Sequence, residues 1–229
     1  MGILVASLAP VLIILVYVYI RDKYEKEPAG LLLTALVAGA LITLPVVIVE
    51  GFFSGLRPDD GTLGAAFYRA FVVAAFTEEL FKFAALYLLI WKRPAFNEQF
   101  DGIVYAVFVS LGFAAVENVL YVTGSGYQTA LLRALTAVPA HAIFGVTMGY
   151  YLGIARRYEE VRKSFLWKAL ALPVLLHGIY DFILMSGIPW LLFGFVIYVG
   201  YLYKSGFRRI RVLSDASVYR ESDGEQETI

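Results

Sequence analysis

The sequence predicts an all-α polytopic membrane helix bundle of about seven transmembrane helices, with its N-terminus outside and its C-terminus cytoplasmic. Three observations carry that expectation. Of 229 residues, 60% are hydrophobic and 17% are charged, where a soluble domain carries about 25% charged residues; mean hydropathy is +0.72. The apolar stretches are continuous rather than alternating, and they reach the roughly 20 residues that a helix needs to cross a bilayer. The basic residues fall in alternate loops, as the positive-inside rule requires of a polytopic chain. A formal net charge of zero gives no case for a nucleic-acid partner, and the lack of cysteine excludes disulfides and Cys-ligated zinc or iron–sulfur sites.

The apolar stretches lie near 2–20, 30–52, 63–90, 102–122, 128–155, 167–186 and 188–204. Helices are expected there because lipid offers backbone groups no hydrogen-bond partner, so a spanning segment must satisfy its own. The first has no basic segment before it and no small-residue cleavage site, and reads as an anchor rather than a cleaved signal. Arg21, Lys23 and Lys26 follow it. Lys92 and Arg93, then Arg156, Arg157, Arg162, Lys163 and Lys168, then Lys204, Arg208, Arg209, Arg211 and Arg220 occupy the later same-side loops. The opposite loops hold only Arg57, so the alternation supports both the span count and the orientation. Residues 1–211 read as one integral-membrane domain in a lipid bilayer, and 212–229 as a polar, disordered cytoplasmic tail.

Ionisable residues interrupt the oil. Glu78, Glu79 and Lys82 sit in the third span, Glu117 in the fourth, His141 in the fifth, and His177 and Asp181 in the sixth. A charge at a helix centre costs about 2.5–3.5 kcal/mol on insertion scales, so these groups are expected to face one another. Spacing agrees: Glu78 and Lys82 share a helix face, as do His177 and Asp181, and Phe113 and Glu117. His141 heads a stripe with Gly145, Gly149 and Gly153, which allows close helix approach. Pro139 and Pro173 precede the two histidines and can free backbone carbonyls. With Arg69 and Arg133 taken as outer interfacial anchors, Glu78 lies about 14 Å and His141 about 12 Å below that surface at 1.5 Å per residue. Each group also has a packing explanation: a register-fixing ion pair for Glu78 and Lys82, a satisfied core histidine for His177, an interhelical clamp for Glu117. Glu50, Glu98 and Asp101 lie near span ends and read as solvated. The case for chemistry rests on the joint set.

At these residues the chain resembles the PrsW family of intramembrane proteases, within the superfamily that includes the type II CAAX prenyl proteases and bacterial abortive-infection proteins. Glu78, Glu79 and Lys82 are similar to the family's EExxK motif, Phe113 and Glu117 to its FxxxE motif, and His177 and Asp181 to its HxxxD motif. His141 stands where a histidine is expected in a following helix, and DKYEKEP after the first span resembles a further signature. The similarity covers about residues 15–185 in order. Lys82 comes one position earlier than the arginine of the CAAX branch, and Glu117 replaces that branch's histidine, which counts against prenylated substrates.

The resemblance implies an endopeptidase of the prokaryotic cytoplasmic membrane that cuts a single-span membrane protein, notably an anti-sigma factor, on the extracytoplasmic side. Two mechanisms fit. Glu78 or Glu79 acts as general base, with His177, oriented by Asp181, and His141 holding water and oxyanion. Alternatively His141, His177 and a carboxylate, Glu117 or Asp181, bind a divalent metal, zinc foremost, and the glutamate acts on metal-bound water. Lys82 holds a glutamate in place in either case. A non-catalytic membrane scaffold would not need the paired glutamates, and a proton-coupled transporter should show inverted repeats, which the sequence lacks.

Overall fold

The computed structural model describes residues 2–217, and all of the regular structure among them is helical. In chain order the helices are α1 (Gly2–Arg21), α2 (Ala29–Leu56), α3 (Leu63–Tyr68), a π-helical segment (Arg69–Phe76), α4 (Thr77–Ile90), α5 (Gln99–Leu135), α6 (Ala137–Arg157), α7 (Arg162–Met185) and α8 (Leu191–Asp215). Four stretches are long and apolar enough to cross a membrane: Gly2–Arg21, Ala29–Leu56, Gln99–Arg157 and Glu159–Met185. Large apolar side chains such as Leu88, Phe193 and Ile197 point away from the bundle, as expected of a lipid-facing surface. Helix α8 continues to Asp215, past the expected start of the polar tail at 212; residues 218–229 of that segment lie outside the described residues.

Helix α5 is the axis of the bundle. Every residue from Phe100 to Ala114 is buried, because α1, α2, α4 and α6 surround it. Backbones approach so closely that side chains are excluded. A Cβ on Gly149 would lie 2.1 Å from the Gly102 carbonyl oxygen, and one on Gly39 would lie 1.9 Å from that of Val109. The glycine stripe below His141 is therefore the seam between α6 and α5.

The stretch expected as separate spans 102–122 and 128–155 breaks at two points. Gly126, at φ 80° and ψ −169°, bends α5 in a conformation open in practice only to glycine. Thr136, at φ −128° and ψ −70°, separates α5 from α6. Pro139 follows in the first turn of α6, where its missing N–H costs nothing. The start of α5 is fixed by Asp101, whose carboxylate accepts the backbone N–H groups of Asn97 at 2.9 Å and Glu98 at 2.6 Å.

The loop between α1 and α2 is pinned to α5 through carboxyl groups. The Asp22 carboxylate accepts the Glu27 N–H at 3.1 Å, and the Tyr105 hydroxyl donates to Glu27. Asp22, Glu27, Glu98 and Asp101 are all buried, not solvated as the span-end positions of the last two suggest. Burial, with the charge of Asp101 adding to it, pushes the Glu27 carboxyl up to about 9 from its ordinary 4.5; burial also raises Asp22.

Two predictions follow from this packing. Replacing Gly149 by valine forces α5 and α6 apart and should lower stability by about 1–3 kcal/mol, read as a lower melting midpoint in detergent; an unchanged midpoint contradicts the close seam. Because folding favours protonated Glu27, its contribution is fully present below the unfolded value near 4.5 and is lost as pH rises through about 9. Glu27→Gln, which keeps the neutral form, should flatten the decline in melting midpoint on the alkaline side.

Candidate active site

Local structure sets up α4. The π-helical segment Arg69–Phe76 adds an extra residue to the turn just before Glu78 and Glu79, a distortion frequent beside functional sites. The segment packs on α7, and Gly178 makes room for it: a Cβ there would lie 2.3 Å from the Phe71 ring. The residue before that glycine is His177, so the same contact that docks the π segment brings the histidine of α7 to the glutamates of α4.

All seven residues singled out from the sequence meet in one network. The Lys82 ammonium donates to Glu78 and Glu79, each at 2.9 Å, and lies 3.1 Å from His141 Nδ1 and 4.2 Å from the centre of the Phe113 ring. His141 Nε2 is 2.8 Å from Glu117 Oε2. His177 Nδ1 is 3.0 Å from Glu79 Oε1, and its Nε2 is 3.2 Å from Asp181. The His177 ring stacks on Phe144, centroids 4.9 Å apart. Glu78, Glu79, Lys82, His141 and His177 are all buried.

The hydrogen bonds assign the protons. Glu117 Oε2 also accepts the Arg133 guanidinium at 2.7 Å, so it is an acceptor and His141 Nε2 carries a hydrogen. His141 Nδ1, facing an ammonium, then presents a lone pair to the centre. His177 is different, because both of its nitrogens face carboxylate oxygens. A neutral ring would set one lone pair against another. A proton on each nitrogen, a proton on one of the two carboxyl groups, or a cation between His177 Nδ1 and Glu79 resolves that contact.

Charge counting leads to the same choice. With His141 neutral, the carboxylates of Glu78, Glu79, Glu117 and Asp181 exceed the fixed cations Lys82 and Arg133 by two. A proton on His177 removes one negative charge; a divalent cation removes both. The donors suit such a cation. Ligand atoms of Glu78, Glu79, His141 and His177 all lie within 4.8 Å of one another, and Glu79 Oε2 is buried with no hydrogen-bond partner among the described residues. Two imidazoles and two carboxylates form a set that divalent transition metals accept. Glu117 is outside this group and backs the far nitrogen of His141, an arrangement that orients a histidine ligand.

A cavity of about 740 Å³ opens beside the network, lined by Glu78, Glu117, His141, His177 and Asp181. Glu79 and Lys82 do not line it; they stand behind Glu78, almost entirely shut from solvent. Two further lining residues have roles that the sequence hides. Arg133, expected as an interfacial anchor, has its side chain 14% exposed and binds both Glu117 and, at 2.7 Å, Asn118. The bend at Gly126 folds it back there. Glu50, expected to be solvated at a span end, also faces the cavity.

An apolar helical bundle with an internal cavity, and ionised acids and imidazoles gathered on its wall, defines a membrane-embedded enzyme rather than a soluble hydrolase. The chain belongs to the PrsW family of intramembrane metalloproteases, whose description matches residues 27–204. It is 38% identical over 211 residues to a Protease PrsW of Halalkalibacterium halodurans, covering 92% of this chain and 96% of that protein. It is 41% identical over 184 residues to one of Oceanobacillus iheyensis, covering 80% and 83%. It is 35% identical over 211 residues to one of Bacillus subtilis, covering 92% and 94%. No solved structure matches the chain. The protein is thus an integral-membrane protease of a prokaryotic membrane.

Arg133→Gln should lower the melting midpoint by the equivalent of about 1–3 kcal/mol, since Glu117 loses its permanent counter-charge. Adding Glu117→Gln should recover part of the loss. A neutral effect of the single change would return Arg133 to the role of an interfacial anchor.

Proposed function

We propose that the chain hydrolyses a peptide bond of a single-span membrane protein inside the cavity, with Glu78 as general base. The observation that supports Glu78 over Glu79 is access: Glu78 lines the cavity, whereas Glu79 is sealed behind it. Water in the cavity gives a proton to Glu78 and its oxygen attacks the carbonyl carbon. As the C–N bond breaks, Glu78 returns that proton to the leaving amine. Lys82 holds Glu78 in place before attack. His177, held between Glu79 and Asp181, lines the cavity, and its imidazolium charge stabilises the oxyanion.

A divalent metal, zinc by donor type, fits His141 Nδ1, His177 Nδ1 and Glu79, and when bound it supplies Lewis-acid polarisation and a more acidic water. In that assignment Glu117 and Asp181 orient the two imidazoles from behind, and Glu78 remains free as base. The topology we favour has seven crossings with the N-terminus outside, from the alternation of basic loops. The cavity then opens in the outer half of the membrane, which suits a first extracytoplasmic cut of a substrate such as an anti-sigma factor.

In proteoliposomes with a single-span substrate, Glu78→Gln, Glu79→Gln and His177→Ala should each reduce cleavage by about 100-fold or more. Full activity in all three overturns this site. Elemental analysis of the purified protein should find about one zinc per chain in the wild type and a marked loss in His141→Ala. Full activity in protein free of metal would leave the glutamate mechanism alone.

A further inference from the structure

One wall of the cavity belongs to α2 and takes no part in the network. Thr43, Val46, Val47, Glu50, Gly51 and Ser54 line it, spaced as one face of a helix. Two polar groups on that face lack partners. Among the described residues Glu50 makes no hydrogen bond or ion pair, and the Thr43 hydroxyl is buried with none.

The other charged groups of the cavity are all engaged. Glu78 is held by Lys82, Glu117 by Arg133 and His141, Asp181 by His177, and Arg69 by Asp59. Among the described residues Glu50 is thus the one lining carboxylate without a salt-bridge partner, in a cavity already rich in acids. An unpaired carboxylate at membrane depth is costly, and an arriving positive charge would relieve that cost. The hydroxyl of Thr43 lies seven residues deeper along the same face, about 10 Å away at 1.5 Å per residue, where an extended peptide could offer a backbone partner.

We propose that Glu50 is a specificity-determining residue that receives a lysine or arginine side chain of the substrate segment lying along α2. This rests on the reading that the cavity is where peptide is cut. The ligand class is a cationic peptide side chain at a fixed distance in sequence from the scissile bond.

The test uses the full-length protein in proteoliposomes and a pooled library of synthetic single-span peptides. Each peptide carries Lys, Gln or Glu at one position around the outer end of its span, and mass spectrometry identifies the cuts. The wild type should enrich Lys at one position relative to the cut. In Glu50→Gln the ratio of Lys-bearing to Gln-bearing cleavage at that position should fall about tenfold. In Glu50→Lys the preference should move to Glu. These ratios compare peptides within one reaction, so a smaller folded fraction does not change them. A wild type with no basic preference, or a Glu50→Gln protein that keeps it, overturns the assignment while leaving the protease reading intact. A library left wholly uncut counts against the proteolytic site itself, and the Glu50 assignment falls with it.

Discussion

Everything in the site depends on the ammonium of Lys82. It touches Glu78, Glu79 and His141 at once and sits over the face of Phe113. Two adjacent buried glutamates on one helix share the ammonium's charge, because each buried carboxylate needs compensation of comparable strength. The lysine also has no alternative partner in lipid. Helix α4 therefore carries its own counter-ion, and α5, α6 and α7 add acids and imidazoles around that fixed point. The order of dependence runs outward: Lys82 fixes the glutamates, Glu79 fixes His177, and Arg133 fixes Glu117, which fixes His141.

Backbone features exist where this convergence demands them. The widened turn of the π segment and the missing side chain at Gly178 let α7 close on α4. Gly102 and Gly149 let α6 close on α5, bringing His141 to the lysine. Gly126 bends α5 so that Arg133, 16 residues beyond Glu117, folds back to it. Each of these positions spends local regularity on a contact between distant segments. That is why helix propensity, which sees only neighbours, cannot anticipate them.

The membrane class and the convergence of the intramembrane ionisable residues were legible in the sequence, because a charge in an apolar run is conspicuous and must be compensated. Intrahelical pairs such as Glu78 with Lys82 and His177 with Asp181 followed from the four-residue spacing. Partners on different helices did not follow. Spacing could not tell that Glu117 backs one face of His141 while Lys82 takes the other. Arg133 and Glu50 were misread for one reason: both lie near span ends, where an ionisable residue usually reaches water. The fold turns them inward, and no local pattern marks that. The 212–215 segment likewise looked polar and unstructured but continues α8 as helix.

The central claim is that the charges of neighbouring helices compensate one another inside the bundle. A double-mutant cycle on Lys82 and Glu79, read as melting midpoints of the purified protein, tests it most directly. Lys82→Met alone should destabilise by the equivalent of about 3–5 kcal/mol, since it leaves buried carboxylates uncompensated. Lys82→Met with Glu79→Gln should recover a large part of that loss. Independent, additive effects of the two substitutions would contradict the account.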